Sequence, residues 1–315
     1  MTQKNNKNNT KSTFAQLNTD KKKNVGFSIS LLKSNLQKAI RRGNVDVALK
    51  SAKLLLHKSP NDFWRRLPII IAEDVLPHPQ LRKMVDLAVK SSKQPYQIKA
   101  EDEIFALSIV EQITRCEYRD VDFIYSDKVK KLAVPKNDLP FKENSIIKAL
   151  EERAGIGGMA GDLAMLKNVA KVYYNKLKSK AITRNKLKSY FPKNTVDYSK
   201  ITLKENISDI LLEAVDFHCS PLLTILLKKK YIQDRIKKEF GDKVDVEELL
   251  KNIIWRIRSS VNYKKDITTD KVFDWLDNYD DNFTEKDSEK YKSIYKLIEK
   301  EINNIGKWYL GNYSV

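Results

Sequence analysis

The residues best equipped for chemistry sit in "AVDFHCSPLLTILL", where Asp216, His218 and Cys219 fall almost side by side. A thiol beside an imidazole can act as a nucleophile, because the base removes the proton that keeps cysteine inactive near neutral pH. The same three side chains are metal-ligand types. Adjacent His and Cys point in different directions on a helix, however, and no second ligand pair stands at zinc-site spacing. Only Cys116, His57, His78 and carboxylates are left to complete a shell. No metal and no cofactor is therefore expected. Pro221 puts His218 to Ser220 at a helix start, so a capped core turn competes with a catalytic site here. A second polar group follows in "IIWRIRSSVNYKK". There Arg256 and Arg258 can hold a phosphate or a carboxylate, or tie back to Asp216 as a buried ion pair.

A third group suits nucleic acid. The stretch "YYNKLKSKAITRNKLKSYFPKNTVDYSKITLK", residues 173–204, carries Lys176, Lys178, Lys180, Arg184, Lys186, Lys188, Lys193, Lys200 and Lys204 against a single acid, Asp197. Tyr173, Tyr174, Tyr190, Phe191 and Tyr198 are interleaved. Lysines neutralise phosphates with release of counterions, and aromatic faces accept unstacked bases. The alternative is a solvated helix and linker whose aromatics anchor it to a core. Arg41 and Arg42 add a second basic point. The whole chain has a formal net charge of +18, which favours a polyanionic partner, DNA ahead of RNA.

These groups must be positioned by helices. In 315 residues there are nine glycines and nine prolines, while Leu, Ile, Lys, Glu and Ala dominate long stretches, a balance that favours helix over sandwich or barrel. Residues 1–27 are rich in Asn, Lys and Thr and read as a disordered basic tail with no apolar signal core. From Ser28 the period is helical. Ser30 can cap a helix with Leu32, Leu36 and Ile40 on one face, Gly43 fits its end, and Asn44 can cap the next. Asn61 and Pro79 open two more, and "EDEIFALSIVEQITRC" is a fifth. Residues 118–142 fit strand, short helix or loop. "GIGGMAGD" reads as a tight helix–helix turn, and Tyr291, Ile294, Tyr295, Ile298 and Ile302 form the stripe of a last helix. Two cysteines suggest a reducing compartment, and the longest apolar runs are too short for a bilayer.

In "NDFWRRLPIIIAEDVLPHP", Trp64, Leu67, Ile71 and Val75 line one helical face, and Asp62 is within a turn of Arg65 and Arg66 for an ion pair. Pro68 withholds an N–H from Trp64, so a kink or a restart near Leu67 is expected. The longer stretch around it carries Lys38, Ala39, Ile40 and Arg41, then Asp46, Ala48 and Leu49, then Arg65, Arg66 and Leu67. Ile71, Ala72, Glu73, Asp74, Val75 and Pro79 follow. In order and spacing this resembles the C-terminal helical domain of the RarA/MgsA replication-associated recombination ATPases, over about residues 30–115. The resemblance implies a clamp-loader collar-like helical array, a role in oligomerisation and a link to replication forks. Members of that family join this domain to an ATPase module. No G-x-x-x-x-G-K-[ST] occurs in this chain, so the resemblance implies no ATPase activity.

The expectation is thus an all-α protein: a tail at 1–27, an antiparallel array with a basic extension at 28–195, and a second helical subdomain at 196–315. The leading function is a non-catalytic, DNA-associated accessory protein of replication or recombination, cytoplasmic or nucleoid-associated. Its partners would be nucleic acid, replication proteins or copies of itself, with no membrane. The alternatives are an enzyme built on Asp216, His218, Cys219, Arg256 and Arg258, and a phage or mobile-element structural protein with an acidic partner.

Overall fold

Residues 26–93, 95–119, 127–216, 220–254 and 285–311 are described by the computed structural model, and among them the chain is helical with no strand. His218, Cys219, Arg256 and Arg258 lie outside the described residues, as does nearly all of the basic tail.

Caps set the first three helices. The Ser28 hydroxyl, rather than Ser30, accepts from the Leu31 N–H at 3.2 Å, and α1 runs Ile29–Arg42. It ends on Gly43 at φ 69°, a left-handed position that glycine occupies without a Cβ clash. Asn44 caps α2, Val45–Lys58. Ser59, not Asn61, caps α3, Pro60–Asp74, with proline at the first helical position where no N–H is missed.

Helix α3 continues as one element through Pro68, without the restart that the lost hydrogen bond suggests. The reason is burial. A helix-interior proline costs about 3 kcal/mol. Phe63, Trp64, Leu67, Ile69, Ile70 and Ile71 are all buried around it, each contributing roughly 1.5–3 kcal/mol.

Helices α4 (Leu81–Ser91) and α5 (Ala100–Arg115) complete the first array: α1 packs on α2, α3 and α5, and α3 packs on α4. A 3-10 turn at Asp127–Lys131 follows. Then α6 (Phe141–Gly155) and α7 (Ala160–Lys178) pair with each other, α6 also against α4 and α7 against α3. Between them the glycine turn has Gly157 at φ 92° and Gly158 at φ 146°. The short α8 is Arg184–Ser189.

Residues 191–211 then form a strap across the first array, spanning the boundary expected at 195–196. Glu111 on α5 holds one end. Its carboxylate accepts from the Thr195 N–H at 2.9 Å, the Thr195 hydroxyl at 3.0 Å, the Val196 N–H at 3.4 Å and the Tyr198 hydroxyl at 2.7 Å. Asn35 on α1, fully buried, holds the other end: its amide donates to the Asp209 carbonyl at 2.7 Å and accepts from the Leu211 N–H at 2.8 Å. Lys53 bonds the Ile201 carbonyl between them at 2.8 Å.

The strap delivers α9 (Leu212–Asp216) onto α1. Helices α10 (Ser220–Leu227), α11 (Lys230–Phe240), α12 (Val246–Ile254) and α13 (Glu285–Gly311) pack on one another, and α13 also covers α9. Ile294, Tyr295, Ile298 and Ile302 of α13 are buried, so its stripe is core. None of the described helices is long and apolar enough to cross a membrane.

Candidate nucleic-acid interface

The basic edge begins where α7 ends. Tyr173 and Tyr174 are buried, so they anchor α7 instead of offering faces to bases. The Tyr174 hydroxyl donates to Asp138 at 2.8 Å, and Lys178 meets the other oxygen of the same carboxylate at 2.7 Å. Lys178 is therefore already paired. Lys176 is half-buried with its Nζ 5.3 Å from the Tyr173 ring centroid. Lys180 turns the chain at φ 59°, an uncommon conformation for a residue with a side chain.

Helix α8 is anchored by a single apolar side chain. Leu187 is fully buried, Thr183 caps the helix by accepting from the Lys186 N–H, and Lys186 and Lys188 are left facing solvent. Arg184 is half-buried. Lys180, Lys186, Lys188, Lys193 and Lys204 are exposed, and none of the five makes an ion pair among the described residues. Lys200 has Asp197 at 3.5 Å.

Most aromatics of the segment face inward. Phe191 meets His78 at 4.3 Å between ring centroids, and Tyr198 is bound to Glu111. Tyr190 differs: its ring lies 3.9 Å from that of Tyr118, which is 53% exposed, and Lys186 stands 5.0 Å above it. Tyr118 is too far along the chain for the pattern of residues 173–204 to have marked it. Glu111 was hidden for a different reason, reading as an ordinary polar position on an amphipathic helix.

The second basic point is corrected. Arg41 is 2% exposed, with Nε 2.6 Å and NH2 3.3 Å from the two oxygens of Asp74. Arg42 has Glu213 at 3.8 Å and little exposed surface. Neither is free to meet a phosphate, because both lie where α1 packs on other helices.

Of the motif residues Asp74 is fully buried, while Arg65, Arg66 and Glu73 are half-buried and engaged with neighbouring elements. Gln37 donates to Asp74 at 2.7 Å and to Glu73 at 2.8 Å, and its oxygen accepts from Arg66. Arg119 reaches the Glu73 carbonyl at 3.2 Å and Asp74 at 3.5 Å. Burial raises the Asp74 carboxyl, but Arg41 and Arg119 outweigh it and hold it below the usual carboxylate value. Burial and the adjacent Asp74 charge push Glu73 up. Arg65 does not pair with Asp62: it donates to the Gly157 carbonyl at 3.2 Å, Arg66 meets Asp162 at 3.3 Å, and Asp62 takes Lys33 at 2.9 Å.

His78 is a core histidine. Its Nδ1 accepts from the Gln80 N–H at 3.1 Å, which leaves Nε2 to donate to Gln112 at 3.0 Å. Both nitrogens are satisfied in the neutral form, and burial pulls its pKa down to about 4. Helix α9 ends at Asp216, beyond which the proposed His–Cys pair is not described. Among the described residues no cluster of His, Cys, Asp and Glu is placed to hold a metal. No protein-family model, curated protein or solved structure matches the chain.

Proposed function

We propose that this is a non-catalytic, DNA-associated accessory protein whose lysine edge, Lys180 to Lys204, binds the nucleic-acid backbone. The observation that carries this reading is the set of five exposed lysines with no acidic partner among the described residues. Surface lysines on helical proteins are commonly balanced by carboxylates a turn away. Here the charges are left open on a segment held firmly by Leu187 and by the Glu111-bound strap. Unbalanced, positioned cations bind phosphates with little sequence preference.

The exposed Tyr118 ring against Tyr190 and Lys186 adds a surface on which a base can stack, which favours single strands over duplex. The collar-like array would supply the body that docks replication proteins or further copies of the chain. Supporting the resemblance to the RarA group, its polar matches at Arg41, Arg66, Glu73 and Asp74 fall on the network that ties α1 to α3. Fluorescence anisotropy with a labelled oligonucleotide over a range of salt concentrations tests the reading. Affinity should fall linearly on a log–log plot, and a flat response would remove it.

A further inference from the structure

Arg153, on α6, is a buried cation with no carboxylate at salt-bridge distance among the described residues. It is 2% exposed, its Nε donates to the Arg65 carbonyl at 2.8 Å, and its NH1 donates to the Gly157 carbonyl at 3.0 Å. NH2 makes no hydrogen bond among the described residues and stands beside the turn, 4.0 Å from where a side chain at Gly158 would begin. Carbonyls satisfy two of its N–H groups but bring no opposite charge into contact; Asp162 acts on it only from beyond salt-bridge distance, and a buried charge without a contacting partner is costly.

The charges around Arg153 make its position worse. Arg65 donates to the same Gly157 carbonyl and has no carboxylate at salt-bridge distance among the described residues. Arg66 shares the neighbourhood, and the one carboxylate at salt-bridge distance from it among the described residues is Asp162, in the first turn of α7. Burial first, and then the charge of Arg65, lower the Arg153 guanidinium to about 10. It nevertheless remains protonated at neutral pH. Among the described residues Asp162 is the one carboxylate within salt-bridge distance of the three guanidiniums, while Asp62 acts on Arg65 and Glu73 on Arg66 from further away.

Among the described residues nothing stands within 4 Å of where side chains at Gly157 and Gly161 would begin. Helix α7 is 19 residues long, and Met159 at its N-cap gives no side-chain hydrogen bond, so its first N–H groups and the positive end of its dipole point toward the turn.

We propose that Arg153, Arg65 and the N-terminal turn of α7 bind a phosphate-type oxyanion. A tetrahedral anion accepts donors from several directions, as these elements present them, and supplies the contacting charge that Arg153 lacks. This site is separate from the lysine edge and does not depend on it.

Inorganic phosphate is the probe, followed by 31P NMR and thermal melting of the full chain, with chloride at matched ionic strength as the control. Wild type should show one saturable site and a rise in melting temperature with phosphate only. Arg65→Gln, a half-buried position, should weaken binding about tenfold or more. Should Arg153→Gln fail to fold, Arg65→Gln and Arg65→Lys still decide the matter. An equal effect of chloride, no saturable site, or wild-type affinity in Arg65→Gln would overturn the proposal. Competition by a 5′-phosphorylated oligonucleotide assigns the phosphate to nucleic acid, and lack of competition assigns it to a small phosphate. Either result upholds the site.

Discussion

Arg41 Nε lies 2.6 Å from Asp74, across the contact between α1 and α3, with the arginine 2% exposed and the aspartate fully buried. Breaking such a pair strands a charge in the core and costs roughly 3–5 kcal/mol. Asp74→Asn and Arg41→Ala should each lower the chemical-denaturation midpoint sharply. The double variant Arg41→Ala with Asp74→Asn should be less damaging than the two single losses added. Additive losses would mean that the two residues act apart.

Glu111 should hold the strap in place. Glu111→Ala leaves two backbone N–H groups and two hydroxyls without their acceptor. The expected loss is about 2–4 kcal/mol, with faster amide hydrogen exchange at Thr195 and Val196 than elsewhere. Burial raises the Glu111 carboxyl, yet the Tyr198, Thr195 and Val196 hydrogen bonds outweigh it and hold it low. Its contribution is therefore present above the ordinary carboxylate pKa and fades as pH falls through the lower folded value. Uniform exchange across α5 and the strap in the variant would contradict this role.

How much of this the sequence carried depends on the range of the interaction. Apolar periodicity located α1, α2, α3 and α13, and local capping rules identified Gly43 and Asn44, since those signals act within one turn. For Tyr173 and Tyr174 the sequence left base stacking and anchoring to the core open, because spacing marks a face without saying what covers it; their burial makes them anchors. Asp62 was within helical reach of Arg65, but Gly157, 92 positions away, took that arginine. Arg41 looked like a surface cation for the same reason: its carboxylate partners come from α3. The strap was invisible, since its anchors Glu111 and Asn35 meet residues more than 80 positions distant.

His78 sets a pH dependence. Its folded pKa, about 4, lies below the ordinary value of 6.5, so the unfolded chain takes up a proton first as pH falls. Stability from this group is complete above pH 6.5 and lost progressively toward pH 4, to roughly 3 kcal/mol in all. The raised Glu73 acts with the opposite sign, so the comparison belongs with His78→Gln, which offers an amide donor in place of Nε2 and does not titrate. Between pH 7 and 5 wild type should lose stability faster than the variant, and parallel curves would place the histidine outside the linkage.

Tyr118 should favour single strands. Tyr118→Ala removes the exposed ring of the Tyr118–Tyr190 pair and should weaken single-stranded binding by about 1–3 kcal/mol while leaving duplex binding little changed. Equal losses on both substrates would assign the ring to packing alone.

The lysine edge is tested most directly by the salt dependence of Lys186→Gln/Lys188→Gln/Lys193→Gln beside wild type, on a single-stranded oligonucleotide. All three side chains are exposed, so the melting temperature should hold. The log–log slope should become shallower by about 0.7 for each phosphate contact removed. An unchanged slope in a folded variant, or no salt-dependent binding by wild type, would contradict the lysine edge as the nucleic-acid interface.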